Sequence, residues 1–279
     1  MQITIIGVGL IGGSIGMAVK KKGLAFRVVG VTAHRHSLSK ALNRGAIDSG
    51  TLNVKKSVSG SDIVILAVPV DRVLSTLKKV VSHLKKGCIV FDVASVKKSI
   101  VRSAEKILGP RGFFVGAHPM AGSEQRGVDK ANGNLFEGAP CIITKTRRTN
   151  RQALTTIKNF WKKLGSEIYE LSPAEHDKRV GNISHLPHAA AAILFLEAKP
   201  SSLKLASTGF MDTTRIASGD PGLWARILKD NSDSASAEIK RYAKKLEIFS
   251  ELVKAKNEPK IKILLSKAKK KRDKLVYER

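Results

Sequence analysis

Cysteine, aromatic residues and acids are all scarce in this 279-residue chain, and each shortage closes off a class of function. Only two cysteines occur, Cys88 and Cys141. They are too few for a disulfide framework and lack metal-site spacing, so no metal is expected and a reducing, cytoplasmic setting follows. Aromatic residues make up 5% of the chain, so no base-stacking platform interleaves with its many lysines. No run of about 18 uncharged apolar residues appears, which argues against a membrane helix. The N-terminal apolar run lacks a basic leader and is broken by glycines, so it does not read as a secretory signal. Acids number 23 against 50 Lys and Arg, a formal charge of +27. The basic residues are dispersed, with one dense tract from Lys267 to Lys274. Solvated lysines are expected, with nucleic acid bound only non-specifically if at all.

The most informative feature present is the first twenty residues. Gln2 to Ile6 is an apolar, β-branched run, followed at once by Gly7-Val8-Gly9-Leu10-Ile11-Gly12-Gly13-Ser14 and then by an amphipathic pattern. A buried strand, a Gly-x-Gly-x-x-Gly turn and a helix form the dinucleotide-binding fingerprint. Gly7 allows the tight turn, Gly9 lets the backbone approach a pyrophosphate, and Gly12 lets the helix lie against the strand. Unpaired N–H groups of the helix start, at Leu10 and Ile11, then face the phosphates.

A further shortage bears on the cofactor. The second strand, Phe26 to Val31, ends in Thr32-Ala33-His34-Arg35-His36-Ser37, with no Asp or Glu to bond a ribose 2′-hydroxyl. Thr32, His34 and Arg35 suit a 2′-phosphate instead, through a guanidinium and hydroxyls. NADP is therefore expected, with NAD as the alternative.

Downstream, apolar runs alternate with helical patterns: strands at Asp62–Pro69, Cys88–Val93, Phe113–Ala117, Pro140–Thr144 and Glu167–Leu171, and helices at Val70–Leu84, Lys97–Leu108 and Thr149–Leu164. This alternation predicts an α/β fold, a Rossmann-type doubly wound parallel sheet over residues 1–170. From Ser172 strand signals stop, so 171–279 is expected to form an all-helical substrate and dimerisation domain.

Ligands of such sheets sit at the carboxyl ends of the strands. Pro69 ends one strand beside the expected cofactor, Asp92-Val93-Ala94-Ser95-Val96-Lys97 ends another, and the stretch from His118 to Glu124 ends a third. His118 is a candidate general base for oxidising an alcohol, with Ser95 sharing the bond to its oxygen. In the helical half, His188 opens an apolar helix. Arg215, in a segment with few other charges, is expected to be partly buried and to clamp a carboxylate; pairing with Asp212 is its structural alternative.

GVGLIGGS at the N-terminus, DVASVK at 92–97, HPMAG at 118–122, SHLPH at 184–188 and GFMDTTRIASGDPGLW at 209–224 together resemble the prephenate/arogenate dehydrogenase family of tyrosine biosynthesis. The resemblance implies hydride transfer from a cyclohexadienol to NAD(P), with loss of the ring carboxylate and aromatisation. It also implies that His118 is the base and Ser95 its assistant, that Arg215 binds a substrate carboxylate, and that His188 and Trp224 line the pocket. Asp212 could pair with the ammonium of arogenate; prephenate is the expected substrate because His188 is present. A homodimer through the helical domain is implied, and no fused mutase or regulatory domain is expected. The alternatives are another NADP-dependent hydroxy acid dehydrogenase of Rossmann-plus-helical build, or a basic nucleic-acid-binding protein that retains the fold.

Overall fold

The computed structural model describes residues 1–122 and 125–277; Ser123 and Glu124, the end of the stretch that begins at His118, lie outside it. Strands β1 (Gln2–Ile6), β2 (Arg27–Val31), β3 (Ser49–Thr51), β4 (Ile63–Leu66), β5 (Cys88–Asp92) and β6 (Gly112–Pro119) pair in parallel. β7 (Pro140–Thr144) pairs antiparallel to β6, and β8 (Glu167–Leu171) lies parallel to β7. Among the described residues they form one sheet in the order β3-β2-β1-β4-β5-β6-β7-β8. The strand order reverses between β1 and β4, where an open α/β sheet leaves its ligand crevice.

Both faces of the sheet are covered between its edge strands, which is why β1, β4, β5 and β7 read as nearly unbroken apolar runs. Alternation sorts the side chains: Ile63 and Ile65 enter one core, Val64 and Leu66 the other. The first core centres on Trp161, ringed edge-on by Phe91, Phe136 and Phe160 at centroid distances of 5.2–6.0 Å. Helices α1 (Leu10–Lys21) and α6 (Arg151–Lys163) contribute to that face, and α4 (Val70–Val80) and α5 (Lys98–Leu108) to the other. Two short helices, α2 (Arg35–Asn43) and α3 (Val54–Ser57), flank β3. Phe26, expected to open β2, lies outside the strand and is 93% exposed.

After β8 the chain is helical throughout the described residues: α7 (Pro173–Val180), a π-helical turn (Gly181–His185), α8 (Leu186–Glu197), α9 (Pro200–Leu203), α10 (Thr208–Thr214), a 3-10 turn (Arg215–Ser218), α11 (Pro221–Asp230), α12 (Ser232–Lys254) and α13 (Glu258–Tyr277). Capping sets the start of two of these. Ser172 and Asp220 accept bonds from Glu175 N and Leu223 N, and Pro173 and Pro221 fill the first helical positions. α8 buries only His188 and Ala191, leaving Ile193, Leu194 and Leu196 exposed. None of the described helices is long and apolar enough to cross a membrane.

Candidate active site

The glycine turn has the geometry its spacing predicts. Gly7 has φ +97°, and a Cβ there would lie 2.3 Å from the Ala67 carbonyl oxygen at the end of β4. A Cβ on Gly12 would lie 2.1 Å from Gly7 O, so α1 packs directly on the turn. Gly9 differs: a Cβ there would meet nothing within 4 Å. It caps α1 without a side-chain bond, the first turn carries no acid, and the first helical bond runs from Gly13 N to Gly9 O at 2.8 Å. The N–H groups before Gly13 have no partner within the helix. This is a cradle that a side chain would fill, with positive helix-end polarity, and it fits a pyrophosphate. Leu10 and Ile11 are half-buried in that first turn, and Pro69 is exposed where α4 begins beyond β4.

At the outer end of β2, Thr32 is buried and donates to the His34 carbonyl at 3.0 Å. His34 caps α2 and Arg35 is its first residue, both exposed. The segment therefore adds a helix N-terminus to the cation and hydroxyls already counted.

Four strand positions further along, at β6, lies a buried polar cluster. His118, 8% exposed, occupies the carboxyl end of β6, and its Nδ1 lies 2.9 Å from His176 Nε2 on α7. His176 Nδ1 lies 2.7 Å from Asp177 Oδ1. Asp177 also accepts from the backbone amides of Lys97 (2.8 Å) and Lys98 (2.9 Å) at the start of α5. Lys97, fully buried, bonds Asp92 Oδ2 and the Ala94 carbonyl, both at 2.6 Å. It thereby shapes the loop that presents the half-buried Ser95. Burial pushes the His118 pKa well below 6.5, and His176, Lys97 and His185 add to the shift. His176 is lowered by burial too, against the pull of Asp177. Both rings are therefore neutral at pH 7.

The helical half closes over this edge. His188 stacks on Trp224 with centroids 3.6 Å apart and planes 8° from parallel. His185 meets the same indole edge-on at 6.2 Å and bonds Asn231 Nδ2 at 3.1 Å. Gly219 lies against the stack, where a Cβ would come within 2.5 Å of Trp224 Nε1. Arg126, beyond the loop that follows His118, pairs with Asp220 at the start of α11, and Arg226 reaches Asp71 on α4 at 3.4 Å. The sheet and the helices thus meet at His118–His176, at Lys97 and Lys98 with Asp177, and at these two ion pairs.

Of the expected residues, His188 and Trp224 are brought into contact, and His118 and Ser95 lie at the carboxyl ends of the neighbouring strands β6 and β5, with one correction. Arg215 was expected to be partly buried; it is exposed, because it opens a 3-10 turn at the end of α10, and Asp212 one turn earlier is exposed as well. His176, Asp177 and Asn231 escape the sequence reading, and Lys97 enters it only as the end of the DVASVK stretch, without a role. The buried face of α7 is His176, Asp177 and Val180, two of them polar, so apolar periodicity could not mark it. The available signal was a His-Asp pair just inside a Ser-Pro helix start next to the last strand.

Comparison with known proteins agrees with this fold. Residues 15–170 match the model of the prephenate dehydrogenase nucleotide-binding domain, and residues 172–267 that of the prephenate dehydrogenase dimerization domain. The chain is 38% identical over 238 residues to prephenate dehydrogenase of Bacillus subtilis, covering 83% of this chain and 64% of that relative, so it spans slightly less than two thirds of the relative's length. The crystal structure of prephenate dehydrogenase from A. aeolicus, in complex with hydroxyphenyl propionate and NAD+, superposes with TM-score 0.92 at 35% identity, covering 99% of this chain and 98% of that one. Synechocystis arogenate dehydrogenase gives TM-score 0.85 at 32% identity, over 98% and 99% of the two chains. With matches to both family models and to this fold, the chain belongs to the prephenate dehydrogenase family.

Proposed function

We propose that this chain catalyses the oxidative decarboxylation of prephenate to 4-hydroxyphenylpyruvate, or of arogenate to tyrosine, with hydride transfer to a nicotinamide dinucleotide. The observation that carries the reading is His118, a neutral buried ring at the carboxyl end of β6, anchored by His176. The loop beyond it returns to the glycine turn: a Cβ on Gly122 would lie 3.7 Å from Ile11 Cδ1.

A nicotinamide dinucleotide held at the glycine turn would supply the acceptor for the hydride of C4 of the substrate ring. His118 takes the proton of the C4 hydroxyl, and Ser95, beyond the adjacent strand β5, shares the hydrogen bond to that oxygen. The ring carboxylate departs as carbon dioxide, and its bonding pair enters the ring, which becomes aromatic. Proton balance then requires His118 to return its proton to the same oxygen, giving the phenol. One ring serves as base and acid. Arg215, whose side chain is exposed, clamps a substrate carboxylate through paired bonds. His188 and Trp224 form the wall beside it. Orientation, one proton and one clamp are what the protein supplies.

Gly7, Gly9, Leu10, Ile11, Gly12 and Pro69 are the residues to hold the dinucleotide, with Thr32, His34 and Arg35 at its ribose. The acid-free end of β2 supports NADP over NAD. Prephenate is the preferred substrate in this reading, and Asp212 is the residue that would serve arogenate's ammonium. The boundary between the dinucleotide and substrate domains falls at 170/171. The exposed apolar side chains of α8, with Leu246 and Ile248 of α12, support a homodimer through the helical half.

The test is cofactor reduction, followed by absorbance, with prephenate and arogenate, each with NADP and then NAD. Turnover with prephenate and NADP is expected. A tenfold preference for arogenate overturns the substrate choice, faster turnover with NAD overturns the cofactor choice, and silence from folded protein in all four mixtures overturns the reaction.

A further inference from the structure

The hydrogen-bond chain behind His118 determines where its hydrogen sits. Asp177 is buried, and its carboxyl is held below the usual range against the opposing effect of burial, by the His176 bond and two backbone amides. An ionised carboxylate only accepts, so His176 Nδ1, 2.7 Å away, carries a hydrogen and donates it. A neutral His176 then has a bare lone pair at Nε2. The 2.9 Å contact to His118 Nδ1 is complete only if His118 donates, which leaves the lone pair of His118 on its own Nε2.

We infer that His176, oriented by Asp177, is a positioning residue that holds His118 in the Nδ1–H tautomer, so that Nε2 is the atom able to take the substrate proton. The opposite tautomer would present an N–H at that position and could not act as a base. The assignment rests on the reading of His118 as base given under Proposed function. The surroundings keep the arrangement from titrating near neutrality. His118 is faced by His176 on α7, His185 on the π-helical turn, and Lys97 of the β5–α5 loop. Cys141 on β7, opposite Pro119, has its thiol pushed up by burial and is therefore uncharged. His176 is faced in addition by Asp177 and Asp92. With Lys97 paired to Asp92 beside both rings, a proton entering either ring meets a fixed cation as well as desolvation.

The experiment is nitrogen NMR of the full chain with labelled histidine, the His118 signals being identified by their loss in His118→Asn. The wild-type ring is expected to carry its hydrogen on Nδ1, with Nε2 bare. His176→Phe removes the acceptor. It should move hydrogen onto His118 Nε2 and lower kcat on the order of 10²-fold, the lower range for loss of general-base catalysis, with KM values within about threefold. His176→Gln, whose amide oxygen can accept the same bond, should restore the wild-type tautomer and most of kcat. A wild-type His118 protonated on Nε2 overturns the inference, as does a His176→Phe spectrum identical to wild type. If the Phe variant does not fold, the wild-type spectrum and the Gln variant still decide. Because the tautomer is read without substrate, absence of dehydrogenase activity alongside the expected spectrum would fault the reaction and not the positioning.

Discussion

His118 and Arg215 do different work, and substitution should separate them. His118→Asn keeps a polar group of similar reach but removes the proton acceptor. In the proposed reaction, kcat should fall by about 10²–10⁴-fold with a modest change in KM, as for loss of a general base. Equal loss of KM affinity and kcat would move His118 from chemistry to binding. Arg215→Ala should act mainly on KM, by about 1.5–3 kcal/mol, the range for a hydrogen bond to a charged group. An unchanged KM in steady-state assays would return Arg215 to a structural role. Position after an apolar strand is what separates the legible His118 and Ser95 from the missed residues. His118 and Ser95 follow apolar strands, whose runs announce where the sheet edge must be. His176 and Asp177 sit on the buried face of a helix that is polar nearly all round, and their burial depends on Lys97 and Lys98 arriving from a strand edge about 80 positions away in sequence. No local pattern encodes that meeting.

Among the elements, the β1–α1 unit makes the sharpest prediction, because its glycines meet different surroundings. Gly12→Ala places a methyl 2.1 Å from a backbone oxygen, which cannot yield as a side chain would. Overpacking of this kind costs about 1–3 kcal/mol and should lower Tm. Gly9→Ala adds its methyl to open space, at φ −96°, so Tm should stay near wild type. Its effect should appear in cofactor titration, as a Kd raised roughly tenfold or more, about 1.4 kcal/mol of lost approach to the phosphates. A Gly9→Ala protein that binds the dinucleotide normally would show that the cradle is not the phosphate site. The sheet itself was legible because both faces of its middle are covered, so β4 to β7 read as apolar runs. β3 was not: Ser49-Gly50-Thr51 has no apolar side chain, and Gly50 is there to let Leu38 pack, with a would-be Cβ 2.4 Å from Leu38 Cδ1. The antiparallel turn of β7 was also beyond reach, since a buried strand has the same composition in either direction.

The whole molecule combines a formal charge of +27 with four buried or nearly buried histidines, and both features act in the same direction as pH falls. His118, His176, His185 and His188 all have pKa values lowered from 6.5 by burial, His185 to about 4. In the unfolded chain these rings titrate near 6.5. Below that pH the unfolded state binds protons that the folded state refuses, so the stability they contribute is fully present above about 6.5 and is lost as pH falls towards 4. For His185 alone the gap corresponds to about 3 kcal/mol. Each proton that does bind adds to a charge that already repels itself, and the lowered carboxylates Asp48, Asp62 and Asp177 extend the loss further into acid. Thermal melts at constant ionic strength should therefore show Tm level above pH 7 and falling steadily from about 6.5. In His185→Gln, whose side chain does not titrate, the fall between 6.5 and 4 should be shallower. A Tm independent of pH across that window would mean the histidines take up protons in the folded state. The neutral His118 that the chemistry needs would then be lost with them.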